Sequence, residues 1–432
     1  MSDEKDLAIQ KLGPIVGNRW IQLTAGVIAM IVISNFQYAF TLFTPGLKQT
    51  FADVPYSQIA LIFSLFILFE TWPVPLAGYL IDKFGIRKLM LVGATGILLG
   101  WLLGGTIATT VFHHYITYGV IAGTGAGIIY IATVANAVKW FPDKRGLAAG
   151  LTAAGFGGGS ALTLIPISAS ISSMGWQGAM AAWGVGQGIV AILCALVLSH
   201  PPTGWLPPNW VQPKAVAQTK KQFTSMEMLS SKEFYIMYFM FLMVCTGGLM
   251  TTGNLSQIAK SLNVFDAKFL GIAIVPFVAT IAGVTNALAR IMWGSISDRF
   301  GREYTMAFAF ALEGVLIFLM TQIAGMPIAF MFLMPFVFLA WGEIYALFSA
   351  ITGDVFGAKN ASGNYGILYT AKGLASIMAG WGAAAVAALY AGSFSVPYYI
   401  SSVFDLTAAA LALWVLRPII RKRIAEEGQK AA

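Results

Sequence analysis

An all-α fold that crosses a membrane many times is predicted by three features of this 432-residue sequence. Its residues are 58% hydrophobic and only 10% charged, whereas an ordinary soluble domain carries about 25% charged residues. Apolar runs of about 20 residues, the length a helix needs to cross ~30 Å of hydrocarbon, recur from one end to the other. The 26 Lys and Arg are spread unevenly over the polar segments between those runs. Soluble architectures are excluded, and membrane topology explains the net charge of +8 without invoking nucleic acid.

Twelve spans are predicted, roughly at 20–43, 59–81, 89–110, 115–138, 147–170, 176–198, 234–256, 268–292, 304–323, 327–350, 365–391 and 396–416. Between the sixth and seventh, the stretch 199–226 is rich first in proline (Pro201, Pro202, Pro207, Pro208) and then in lysine (Lys214, Lys220, Lys221), a linker composition. The expected organisation is a six-helix bundle at 1–198, a cytoplasmic linker at 199–226, and a second six-helix bundle with a basic tail at 227–432. Cys194 and Cys245 both lie in apolar runs, so no disulfide framework is expected. The opening MSDEKDLAIQKLG is polar and mixed in sign, which gives no expectation of a signal peptide.

Orientation follows from the cations. With the N-terminus in the cytoplasm, 21 of the 26 fall in the tails and the even-numbered loops. Lys48, Lys260 and Lys268 fall in odd loops, and Arg290 and Lys372 remain inside spans. The positive-inside rule then places both termini in the cytoplasm. The tail residues Arg417, Arg421, Lys422 and Arg423 suit anionic headgroups.

The two halves repeat. Span 2 ends GYLIDKFGIRK and span 8 ends GSISDRFGRE; Asp82 and Asp298, like Gly85 and Gly301, are 216 residues apart. Tyr130 precedes Phe141 by eleven residues, and Tyr345 precedes Phe356 by eleven. These matches indicate duplication, and transporters built from related halves bind near the midplane between them. Asp82, Gly85, Arg87, Asp298, Gly301 and Arg302 are the expected conformational-switch loops.

Twelve spans, a long central loop and D-x-x-G-x-R after span 2 resemble the major facilitator superfamily over the whole chain, and more narrowly its oxalate/formate antiporter family. The segments that carry the resemblance are GNRW at 17–20, Gln37-Tyr38, GYLIDKFG at 78–85, WFPDKRGLA at 140–148, WGEIYALF at 341–348, and NYG at 364–366 with AKGLAS at 371–376. The resemblance implies two pseudo-symmetric six-helix bundles in a cell membrane, the cytoplasmic membrane of a prokaryote. It also implies that an arginine on span 8 and a lysine on span 11 clamp a small carboxylate inside an aromatic cage. The matching positions are Arg290, Lys372, Gln37, Tyr38, Tyr130, Trp341 and Tyr345. Tyr369 stands where the family resemblance places tryptophan, Glu343 replaces the second glycine of WGGSY, and Glu70 stands in place of glutamine.

The depth of the site follows from spacing alone. At 1.5 Å per residue, Arg290 lies about 12 Å from Asp298, Lys372 ~14 Å from Gly363, and Tyr130 and Tyr345 about 16 Å from Phe141 and Phe356, all near the middle of ~30 Å of hydrocarbon. A cation there is costly and marks a functional site by default. Two such cations repel, and an anion between them relieves the repulsion. The guanidinium offers a planar fork to a carboxylate, the ammonium a mobile point charge. Asn286, four residues before Arg290, shares its helical face, and Trp341 and Tyr345 are also i, i+4 and suited to cation–π support. Glu70, ~18 Å deep and offset by 216 residues from Asn286, is expected to face the cavity from the N-terminal half as a proton-coupling or substrate-selecting group. The alternative for either cation is an ion pair with Glu70, Glu313, Glu343 or Asp405.

Glu313 and Asp405 are expected to make structural hydrogen bonds, Glu343 to face a neighbouring helix, and His113 and His114 to be solvated. Phe156 to Ser160, FGGGS, reads as close helix packing. No metal-ligand spacing, nucleophile elbow or phosphate loop occurs, so no metal, cofactor or enzymatic role is expected. The expected partners are a small carboxylate and the lipid bilayer around a monomer. The leading reading is a secondary transporter exchanging small carboxylates such as oxalate and formate. Proton-coupled symport of a monocarboxylate (lactate, pyruvate or formate) and a non-transporting carboxylate sensor are the alternatives.

Overall fold

The computed structural model describes residues 16–202, 205–207, 221–357 and 360–429; the side chains of Asp82, Arg145, Ser362 and 424–429 lie outside that description. Eleven helical runs among these residues are long and apolar enough to cross a membrane. They are α1 (Arg19–Thr50), α2 (Tyr56–Ile81), α3 (Ile86–Thr106), α4 (Val111–Trp140), a 51-residue run Leu147–Val197, α7 (Lys232–Ser261), α8 (Ile274–Phe300), α9 (Arg302–Met320), α10 (Pro327–Phe356), α11 (Gly363–Leu389) and α12 (Ser395–Arg423). The 51-residue run is twice the length of a crossing. Gly175 divides it with φ 76° and ψ 164°, a backbone conformation that glycine adopts without the Cβ penalty. The halves of that run are α5 (147–174) and α6 (176–197), so the eleven runs make the twelve predicted crossings.

The eighth span begins later than 268. Lys268–Phe269 (β1) pairs antiparallel with Ile272–Ala273 (β2). Leu270 and Gly271 turn between them with φ 52° and 80°, which no right-handed helix can accommodate. The helix starts at Ile274 and carries Pro276 in its first turn, where the missing N–H costs nothing.

Within the N-terminal half α1 packs on α4 and α5, and α3 on α6; within the C-terminal half α7 packs on α11, α8 on α10 and α9 on α12. Between the halves, α2 lies along α11 and α5 along α8. Small residues permit the close approach: a Cβ on Gly158 of α5 would stand 2.7 Å from Ala287 Cβ of α8. At the end away from the chain termini, the halves are joined by polar contacts. Thr41 Oγ1 donates to Ser256 Oγ at 3.1 Å, and Ser256 N–H donates to Thr41 Oγ1 at 2.8 Å. Thr41 and Ser256 are 215 residues apart, so the duplication offset read from the sequence brings equivalent positions face to face. Tyr56 donates to Asn254 Oδ1 at 3.0 Å, and Ser376 Oγ donates to the Ser64 carbonyl at 2.8 Å. Toward the termini, a Cβ on Gly150 of α5 or on Gly294 of α8 would have nothing within 4 Å.

The two loop motifs share one geometry. Gly85 has φ 88° and ψ 150°, Gly301 φ 91° and ψ 150°. Arg302 pairs with Asp298 at 2.7 Å and with Asp354 of α10 at 3.2 Å. Arg87 is exposed; Asp82 sits on the helix that ends at Phe84, and its side chain is outside the described residues. Of the stretch 199–226, residues 203–204 and 208–220, including Lys214 and Lys220, also lie outside it.

Candidate functional site

Arg290 sits deep in α8, sixteen residues from Ile274 and ten from Phe300, hence about 24 Å and 15 Å from its ends. Nη1 donates to the Ala153 carbonyl of α5 at 2.8 Å, and Nη2 to Asn286 Oδ1 at 3.3 Å. The guanidinium carbon lies 4.5 Å from the centre of the Tyr345 ring. Gly157 makes this seat: a Cβ there would stand 2.7 Å from Asn286 Oδ1 and 2.8 Å from Arg290 Nε. Among the described residues Arg290 forms no ion pair.

Lys372, fully buried on α11, uses all three of its protons. Nζ donates to Glu70 Oε2 at 2.8 Å, to Gln37 Oε1 at 2.9 Å and to the Tyr369 hydroxyl at 3.1 Å. It lies 5.2 Å from the centre of the Phe156 ring, 5.3 Å from that of Tyr369 and 5.7 Å from that of Tyr345. The Tyr345 ring is thus within cation–π range of both cations. Tyr130 stacks on Tyr369 at 5.4 Å with planes 9° apart. Phe156 meets Tyr130 at 5.5 Å and Tyr38 at 6.0 Å edge to face, and Trp341 stands behind Tyr345 at 5.7 Å.

The structure therefore gathers the nine named positions from both halves into one buried cluster. It adds three from α5 that sequence reasoning did not assign: Ala153 through its carbonyl, Phe156 and Gly157. The FGGGS run was the available signal; its first two residues touch the cations, and the close packing expected of it is what seats them.

The unpaired atoms of this cluster share one character. Gln37 Nε2, Asn286 Nδ2, Arg290 Nε, Trp341 Nε1 and the hydroxyls of Tyr38 and Tyr345 are buried without a hydrogen-bond partner, and so is one acceptor, Glu70 Oε1. Buried polar groups are seldom left unpaired, because each forfeits its hydration. Six groups able to donate, with two cations among their neighbours, match the acceptor-rich surface of a small anion.

Four expectations need correction or refinement. Glu70 faces the cluster from the N-terminal half as expected, but it is paired with Lys372, so the ion-pair alternative holds for that lysine. Glu313 and Asp405 do not make structural hydrogen bonds: their carboxyl oxygens, and those of Glu343, are buried without partners. The neighbouring hydroxyls do not serve them, since Ser402 donates to the Gly314 carbonyl and Ser401 Oγ is itself unpaired. His114 is not solvated; it is buried between the rings of Phe51 and Trp176, at 5.8 and 5.6 Å. A cavity of about 470 Å³ lined by Asn35, Thr163, Trp183 and Gln187 lies within the N-terminal half and includes neither cation.

Twelve apolar crossings in two related halves, joined by polar contacts at the end away from the termini, are the architecture of a membrane transporter. The chain belongs to the Major Facilitator Superfamily, whose profile matches residues 24–284 and 254–431. It is 33% identical over 404 residues to the oxalate:formate antiporter of Oxalobacter formigenes, covering 93% of this chain and 92% of that one. It is 26% identical over 293 residues to monocarboxylate transporter 3 of Rattus norvegicus, covering 66% and 56%. In fold it matches the solved D-xylose–proton symporter with a TM-score of 0.69 at 15% identity, over 91% of this chain and 96% of that one. The protein is a multi-pass cell-membrane transporter of this superfamily.

Proposed function

We propose that the chain carries small organic carboxylates across the membrane by alternating access, exchanging one anion for another as the name of its Oxalobacter relative describes. The observation that supports this most directly is the ring of unpaired donors around Arg290 and Lys372 at mid-depth. In this reading Arg290 receives the carboxylate through its free Nε edge, and Asn286, Gln37, Tyr38 and Tyr345 complete its hydrogen bonds. Tyr130, Tyr369 and Trp341 wall the chamber. Residues 1–198 and 227–432 are the two rocking bundles, joined by 199–226 on the cytoplasmic side with both termini. The Gly85 and Gly301 loops, with Arg87, Arg302 and their acids Asp82 and Asp298, hold and release the cytoplasmic ends.

Exchange has a physical rationale. Moving an uncompensated cation through a closed, low-dielectric chamber is costly. A bound anion lowers that cost, so reorientation is fast only when loaded. Proton-coupled symport of a monocarboxylate is the second reading, favoured by the Glu70–Lys372 pair, which supplies an acid within the chamber. Purified protein in vesicles loaded with unlabelled carboxylate separates the two. Exchange predicts uptake of labelled formate that needs substrate on the other side, whereas symport predicts uptake driven by an imposed pH gradient and loss of that pH dependence in Glu70→Gln. Binding without any uptake would overturn both in favour of a sensor.

A further inference from the structure

Glu70 has a consequence for which carboxylate is carried. Its carboxylate lies 2.8 Å from Lys372 Nζ, and both side chains are fully buried. Whichever partner holds the shared proton, the pair sums to zero charge. Lys372 has also committed its remaining protons to Gln37 and Tyr369, so it has none to offer an incoming anion. Arg290, by contrast, donates one N–H from each terminal nitrogen to the neutral acceptors Ala153 O and Asn286 Oδ1 and keeps an unpaired Nε. The partnerless acids Glu313, Glu343 and Asp405 form no hydrogen bond to any member of the cluster. Among the described residues the cluster therefore presents one unmatched positive charge.

We propose that Glu70 is a tethered counter-anion that sets the valence of the substrate: the chamber takes carboxylates with a single negative charge and discriminates against dianions. This deepens the carboxylate reading and rests on it. A monoanion at Arg290 leaves the chamber neutral. A dianion leaves one negative charge uncompensated beside Glu70, in surroundings where like charges repel far more strongly than in water. Replacing Glu70 by glutamine keeps an acceptor for Lys372 and removes the charge. The chamber then holds two unmatched cations, which suit a dianion.

Oxamate and oxalate separate valence from size, since they have nearly one shape and carry one and two charges. Both would be tested as competitors of labelled formate uptake by protein in vesicles, and as stabilisers of detergent-solubilised protein against heat. The expected result is that the wild type binds oxamate at least tenfold more tightly than oxalate. Glu70→Gln should shift that ratio at least tenfold toward oxalate, and Glu70→Asp should keep the wild-type order. Equal binding of the two by the wild type, or a ratio unmoved in Glu70→Gln, overturns the valence role while leaving a carboxylate site in place. If the wild type binds none of formate, oxamate and oxalate, the carboxylate reading itself fails, and this inference with it. Should Glu70→Gln not insert, the wild-type ratio and Glu70→Asp decide: a wild type without preference, or an aspartate variant that has lost it, overturns the proposal.

Discussion

Gly157→Ala adds one methyl group where α5 meets the guanidinium. The new Cβ would stand 2.7 Å from Asn286 Oδ1, 2.8 Å from Arg290 Nε and 3.1 Å from its guanidinium carbon. Ordinary contact begins near 3.5 Å, so the pair must retreat by roughly 0.7 Å. It has little room, because Arg290 is held by the Ala153 carbonyl at 2.8 Å on one side and backed by the Tyr345 ring on the other. Overpacking of this kind costs about 1–3 kcal/mol, and a weakened hydrogen bond from a charged group about as much. Where the site bears about 1.4–2.8 kcal/mol of this, binding weakens about ten- to hundredfold at 1.4 kcal/mol per decade. The assay is formate uptake as a function of concentration in vesicles, with thermal stability measured in parallel. Gly150→Ala is the control: its Cβ meets nothing within 4 Å, and transport should match wild type. Wild-type affinity and rate in Gly157→Ala would refute the assignment of α5 as the seat of Arg290.

Thr41→Val deletes the hydroxyl that Ser256 meets from the other half and should bias the chain toward the state closed at the termini end. Labelling of a cysteine placed at Gly150 by a membrane-impermeant thiol reagent should then slow several-fold. Gly301→Ala forces φ 91° and ψ 150° on a residue with a Cβ, a region essentially confined to glycine and a strain of about 1–3 kcal/mol. It should lower thermal stability by a few degrees and slow exchange more than it weakens binding; an unchanged melting temperature would contradict the strain.

The depth of the cations was legible in the sequence because α-helical rise is constant and because Arg290 and Lys372 interrupt otherwise apolar runs. The duplication was legible for a similar reason: Gly85 and Gly301 must both turn at positive φ, so the motif survives in both halves. The pairing of Glu70 with Lys372 was not. Depth places both at mid-membrane but says nothing about rotation of α2 against α11, so Glu70 was as compatible with Arg290 as with Lys372. The role of α5 is only partly legible: the FGGGS run marks close packing, but a backbone carbonyl, a glycine and a phenylalanine carry no charge that would assign them to the cations. Hydrogen bonds for Glu313 and Asp405 are expected from the peripheral place that the resemblance gives spans 9 and 12; that placement does not identify donors, and of the α12 hydroxyls Ser402 donates to the Gly314 carbonyl while Ser401 makes no bond.

Arg290→Ala bears most directly on the chamber as a carboxylate site. With the protein shown to insert and to run as a single species in detergent, saturation of formate uptake and heat stabilisation by formate are measured together. Both are expected to vanish, a loss of at least a hundredfold in apparent affinity. Uptake that persists with wild-type affinity would mean that the cation on α8 is not where the anion is held.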